Sequence, residues 1–152
     1  MSEIELSMGY LLHWGARVIR RLADRRLKRL GLSAAHLPII YALAENEAMA
    51  QKALAAYASI EQPTMAATLT RMERDKLIER RPDPNDKRSS LFSLTAATRK
   101  KLPAIWRTIE DLNDEALHGL PENQRPQFRR QLNAMIVAME ARVAADGGKA
   151  ER

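Results

Sequence analysis

Cysteine is absent from the 152 residues. That excludes disulfides, thiolate zinc sites and cysteine-based redox sensing. Histidine is scarce: His13, His36 and His118 are the only three, and their spacing fits no metal-ligand motif. No apolar run approaches the ~18 residues needed to span a membrane, and no signal-peptide pattern opens the chain. The expected compartment is the cytoplasm, with no membrane partner. A glycine-rich phosphate loop and a nucleophile elbow are both missing. The acid pairs Glu110-Asp111 and Asp114-Glu115 fall in a helical stretch, where they read as a solvated face. With no catalytic set in view, neither an enzyme nor a metal or cofactor is expected.

Positive charge is what the chain has in excess, with 25 Lys+Arg against 19 Asp+Glu. Residues 1–32 hold seven basic and three acidic side chains, and residues 61–101 hold ten and six. Residues 102–145 are nearly balanced, with five and six. A basic excess confined to particular regions suits a polyanion partner, most commonly nucleic acid. The alternative is a solvated surface that happens to be basic.

Helical periodicity dominates the pattern. Over residues 4–30, Ile4, Met8, Leu11, Leu12, Gly15, Val18, Ile19, Leu22 and Leu30 recur at helical spacing, and Gly31 is a natural stop. Ser33 then caps a helix over 34–45 carrying Leu37, Ile40, Tyr41 and Leu43. A third helix fits 51–58, with Leu54 and Tyr57 inward. A fourth fits 62–75, with Met65, Leu69 and Met72 on one stripe and Pro63 in the first turn. Together the last two make a helix-turn-helix.

The period then drops to two. Residues 77–81 and 91–95 read as strands, joined by the turn-rich Pro82-Asp83-Pro84-Asn85-Asp86. Beyond the hairpin, one stripe holds Leu102, Ile105, Ile109, Leu112 and Ala116, and Gly119-Leu120-Pro121 marks a break. A last stripe holds Phe128, Leu132, Met135, Ile136, Met139 and Val143. Pro103 predicts a kink or a late start in the fifth helix, and Pro126 poses the same problem in the last.

The fold class is therefore mainly α with a small β-hairpin wing. Residues 33–95 form a winged helix-turn-helix, flanked by helices at 1–32 and 96–145, with 146–152 a frayed tail. The flanking helices carry more apolar surface than a small winged domain can cover, and a second copy would bury it, so a homodimer is expected.

The wing carries Asp86-Lys87-Arg88 and then Leu94-Thr95. This resembles the signature of the MarR family of bacterial transcriptional regulators: Asp, any residue, Arg, five residues, Leu-Thr. The segment QKALAAYASIEQPTMAATLTRMERDKLIERRPDPNDKR resembles that family's DNA-binding segment throughout. Two departures stand out. Lys76 occupies a position after the recognition helix that is often Gly, and Glu61 replaces a small cap residue.

On this reading the outward face of helix four meets double-stranded DNA. Gln62, Thr64, Ala67 and Arg71 are expected near bases and Arg74 near phosphate. Arg88 at the wing tip suits the minor groove. Asp86 is expected to hold its guanidinium by bidentate bonds, and Arg80, Arg81 and Lys87 are candidate backbone contacts. The resemblance also implies a small aromatic or phenolic effector. Candidate contacts are His13, Trp14, Arg17, His36 and Tyr41, which are alternatively core or interface residues. The expected function is a homodimeric, ligand-responsive repressor on a pseudo-palindromic operator. The alternatives are a winged-helix protein–protein adaptor and a nonspecific architectural nucleic-acid binder.

Overall fold

The structure, a computed structural model, describes residues 7–86 and 88–150. It divides into two compact units, one running to Leu112 and one from Asn113 onward.

In the first unit, α1 spans Met8–Leu27, capped by the Ser7 hydroxyl, which accepts from the Tyr10 N–H at 3.2 Å. A short 3-10 turn follows, and Gly31 ends it at φ 74°. The next helix begins as a 3-10 turn, Ala34–His36, and continues as α2, Leu37–Glu45. Its exposed backbone donors find two unusual partners. The Asp24 carboxylate, from α1, accepts from the Ala34 N–H at 2.7 Å. His36 Nδ1 accepts from the Ser33 N–H at 3.2 Å, taking the place of the Glu or Gln of an ordinary capping box. Unpaired N–H groups at helix starts must be satisfied, and here side chains do so.

Helix α3, Gln51–Tyr57, and helix α4, Gln62–Arg74, form the helix-turn-helix. Met65, Leu69 and Met72 are buried, as their spacing predicts. Tyr57 corrects the expectation of an inward side chain. It is 47% exposed at the end of a short helix, and its hydroxyl lies 3.3 Å from Glu45 Oε2.

Both α3 and α4 end in the same hydrogen-bond pattern as the 3-10 turn after α1. Leu32, Ile60 and Leu77 N–H groups reach back to the carbonyls of Leu27, Ala55 and Met72. This ending needs a left-handed residue. Glycine supplies it once, at Gly31; Ser59 (φ 50°) and Lys76 (φ 56°) supply it elsewhere.

The wing strands are β2, Ile78–Pro82, and β3, Ser90–Leu94, each one residue away from the expected bounds. A third strand, β1, Met49–Ala50, pairs antiparallel with β3, giving the order β1-β3-β2. Two residues carry no readable period, so the sequence does not reveal β1.

Thr95 joins the wing to α5, Ala96–Ala116. Its hydroxyl lies 3.0 Å from the Lys76 carbonyl, to which it can donate, and accepts from the Thr98 N–H at 3.2 Å. One side chain thus ties the end of α4 to the start of α5. Leu94 beside it is buried, so the Leu-Thr pair serves the fold. Helix α5 starts immediately after Thr95 and runs through Pro103, rather than starting late. Pro103 is exposed, so water can satisfy the carbonyl one turn back that lacks its donor. Thr98, Ile105 and Leu112, seven apart, are the buried side chains of α5.

The core of this unit gathers Leu27, Ile39, Ile40, Leu43, Leu54, Leu69, Ile78 and Ile105. In the second unit, α6 spans Arg125–Ala150. Pro126 is its second residue, where proline costs little, which removes the expected problem. The tail expected to fray continues the helical backbone through Ala150, with residues 151–152 outside the described residues.

Candidate nucleic-acid interface

Helix α4 presents two chemically distinct faces. Met65, Thr68, Leu69 and Met72 are buried, while Gln62, Pro63, Thr64, Ala67, Thr70, Arg71 and Arg74 are all exposed. Glu61 precedes the helix in extended conformation and makes no side-chain cap. The N-terminal end therefore shows the Gln62 and Thr64 side chains rather than a folded-back carboxylate. Arg71 Nη2 bonds Thr68 Oγ1 at 3.2 Å within the helix. Arg74 pairs with Asp75 at 2.8 Å. That pair is exposed, so solvent screens it and it is exchangeable for a stronger anion. The bond to Arg74 also holds the Asp75 carboxyl below its usual range.

At the wing tip the carboxylates face the backbone. Asp83 Oδ1 accepts from the Asn85 N–H at 2.9 Å, and Asp86 Oδ1 accepts from the Arg88 N–H at 2.8 Å. The Ser89 N–H adds a bond to the Asp86 carbonyl at 2.9 Å. This corrects the expected role of Asp86. It fixes the main chain that carries Arg88 rather than clamping the guanidinium, because the amide two residues on is the nearest donor to a short carboxylate. Lys87 lies outside the described residues.

Strand alternation separates the two arginines of β2. Arg80 is registered opposite Phe92, and Arg81 opposite Leu91. Arg80 lines an open groove of about 480 Å³ together with Gln51, Lys52, Gln62, Arg88 and Phe92. Among the described residues, three cations line this groove and no acid does. Arg81 opens onto a different cavity of about 450 Å³, which also holds Glu45, Glu47, Glu79 and Arg99. The hairpin thus has a purely cationic side and a mixed, acid-bearing side. Gln51 and Lys52 were not foreseen. Lys52 is the only Lys or Arg between Arg29 and Arg71, which is the one signal the sequence offers.

The candidate effector residues are distributed differently. His13, Trp14 and Arg17 are exposed on α1, with the Trp14 ring 6.2 Å from Tyr10. His36 is occupied by the Ser33 N–H, and burial lowers its pKa. Tyr41 stacks on Trp106 at 5.1 Å, and burial raises its phenol pKa. Neither cavity beside the wing includes any of these five residues.

Residues 30–89, from the end of the first helical segment through the wing tip, match the model of the MarR family. Over that segment the chain is similar to MarR-family proteins. It is 27% identical over 128 residues to the uncharacterized HTH-type transcriptional regulator YwoH of Bacillus subtilis, covering 84% of this chain and 93% of that protein. A probable transcriptional regulator from Pseudomonas aeruginosa has the same fold, with a TM-score of 0.81 at 22% identity over 88% of this chain and 99% of the other. A mutant MarR from E. coli, solved in complex with operator DNA, superposes with a TM-score of 0.78 at 21% identity, covering 89% and 99%. Among the described residues, no helix is long and apolar enough to cross a membrane.

Proposed function

We propose that this chain is a MarR-type transcriptional regulator, a homodimeric, cytoplasmic repressor that reads a pseudo-palindromic operator. The observation that carries the proposal is the groove between the wing and the N-terminal ends of α3 and α4. Lys52, Arg80 and Arg88 line it, with no acid among the described residues there. A phosphate backbone seated there would release counterions from each cation it meets. The exposed outer face of α4 then lies beside base edges, with Gln62, Thr64, Ala67 and Arg71 toward bases and Arg74 toward phosphate. MarR of E. coli, solved with operator DNA, supports extending this mode to the present chain.

The dimer has separate support. Met8, Leu11, Trp14, Val18 and Ile19 are exposed on α1, as are Phe128, Ile136, Met139 and Val143 on α6. Apolar exposure of this extent marks an interaction surface, and a second copy is the economical occupant. An anionic aromatic effector would meet Arg17, exposed on α1, and its addition would shift operator affinity.

Fluorescence anisotropy on a selected duplex tests the groove. Arg80→Ala and Arg88→Ala should each lower affinity and flatten the salt dependence by about one phosphate contact. Arg81→Ala should change little. Equal losses for all three variants, or none, would overturn the assignment.

A further inference from the structure

Gln51 and Gln62 open consecutive helices, and their side-chain amides meet: Gln51 Nε2 donates to Gln62 Oε1 at 3.1 Å. Neither helix start carries a side-chain cap bond, so these amides are not spent on the backbone. Gln51 is also well anchored. Ala50 before it is extended and pairs with Leu91 of the wing, so the wing, the start of α3 and the start of α4 are held together. Gln51 is half-buried while Gln62 is exposed. The arrangement is a supported side chain holding a presented one.

We propose that Gln51 is a positioning residue that sets which base Gln62 prefers. This rests on the reading of the chain as a sequence-specific DNA-binding protein. A primary amide is nearly symmetric in shape and opposite in polarity at its two ends. Unsupported, Gln62 can turn either end to a base edge. The bond from Gln51 holds Oε1 toward α3 and leaves Nε2, a donor, as the end that meets the major groove. The favoured bases are those presenting an acceptor there and no amino group: guanine, through N7 and O6, and thymine, through O4. Such a bond holds its orientation better in an interface than in free solution, because water that could compete is displaced.

The test is selection from random duplexes at one salt concentration, run on the wild type, Gln62→Ala, Gln51→Ala and Gln51→Glu, each checked for an unchanged melting temperature. Gln62→Ala identifies the position that Gln62 reads. At that position the wild type should enrich guanine or thymine by roughly 2- to 12-fold, as one hydrogen bond allows, and Gln51→Ala should flatten the preference while leaving every other position alone. Glutamate can only accept, so Gln51→Glu should draw Nε2 of Gln62 to itself and shift the preference to cytosine or adenine, which offer an amino group. Identical base profiles for the wild type and both Gln51 variants would overturn the proposal, whatever happens to affinity. So would a Gln62→Ala profile that matches the wild type. No enrichment by the wild type would overturn the DNA-reading proposal itself, and this one with it.

Discussion

Asp86 separates two ways in which an acid can serve a DNA-binding wing. Its Oδ1 accepts the Arg88 N–H at 2.8 Å, and its carbonyl accepts the Ser89 N–H at 2.9 Å. Asparagine keeps an oxygen at the same place and can keep the turn. Alanine cannot. A net intramolecular hydrogen bond contributes about 0.5–1.5 kcal/mol, and this one is exposed to solvent, so about 1 kcal/mol of wing order is at stake. If DNA binding must restore that order, Asp86→Ala weakens affinity about fivefold, by the relation of 1.4 kcal/mol per tenfold. Asp86→Asn keeps affinity within about twofold of the wild type, since it retains the turn and removes an anion from beside a polyanion. Anisotropy titrations on one duplex, with all three proteins at the same salt, read the difference. A carboxylate clamp on the guanidinium would behave otherwise, because asparagine loses the charge-assisted bonds. Equal losses of tenfold or more for Asn and Ala would refute the backbone role.

Two further predictions concern the scaffold. Lys76 sits in the left-handed region at φ 56° and closes α4 through bonds from its own N–H and that of Leu77. Lys76→Gly should raise stability by about 0.5–1 kcal/mol, seen as a higher midpoint in denaturant, because relief of side-chain strain outweighs the added chain entropy; a lower midpoint would count against it. His36 is pushed below its ordinary 6.5, first by burial and next by Arg71, against the opposing pull of Asp75 and Asp24. The unfolded chain therefore binds the proton more readily. The contribution of His36 is complete above pH 6.5 and declines as pH falls below it, with a slope of at most about 1.4 kcal/mol per pH unit. His36→Gln should remove that slope just below pH 6.5; an unchanged slope would contradict it.

Local patterns were legible in the sequence, and juxtapositions across the chain were not. The spacing of Met65, Leu69 and Met72 placed the buried face of α4 correctly, because a helix repeats every 3.6 residues whatever surrounds it. Turn formers from Pro82 to Asp86 placed the wing for a similar reason. The third strand escaped notice, since Met49 and Ala50 become a strand only by pairing with β3. That pairing brings Gln51 and Lys52 to the groove. The two faces of β2 were implicit in its alternation, but which face is cationic depends on Glu45 and Glu47 arriving from another segment. The spacing of Asp86 and Arg88 was plain, while the atom the carboxylate would choose was a matter of turn geometry.

A dimer that reads DNA through α4 and the wing needs a twofold site. Selection of the wild-type protein on random duplexes at physiological salt should yield an enriched inverted repeat whose half-sites lie about 10 bp apart, one turn of the duplex. Tight binding with no enriched sequence, or enrichment of a single unrepeated site, would contradict that mode of reading.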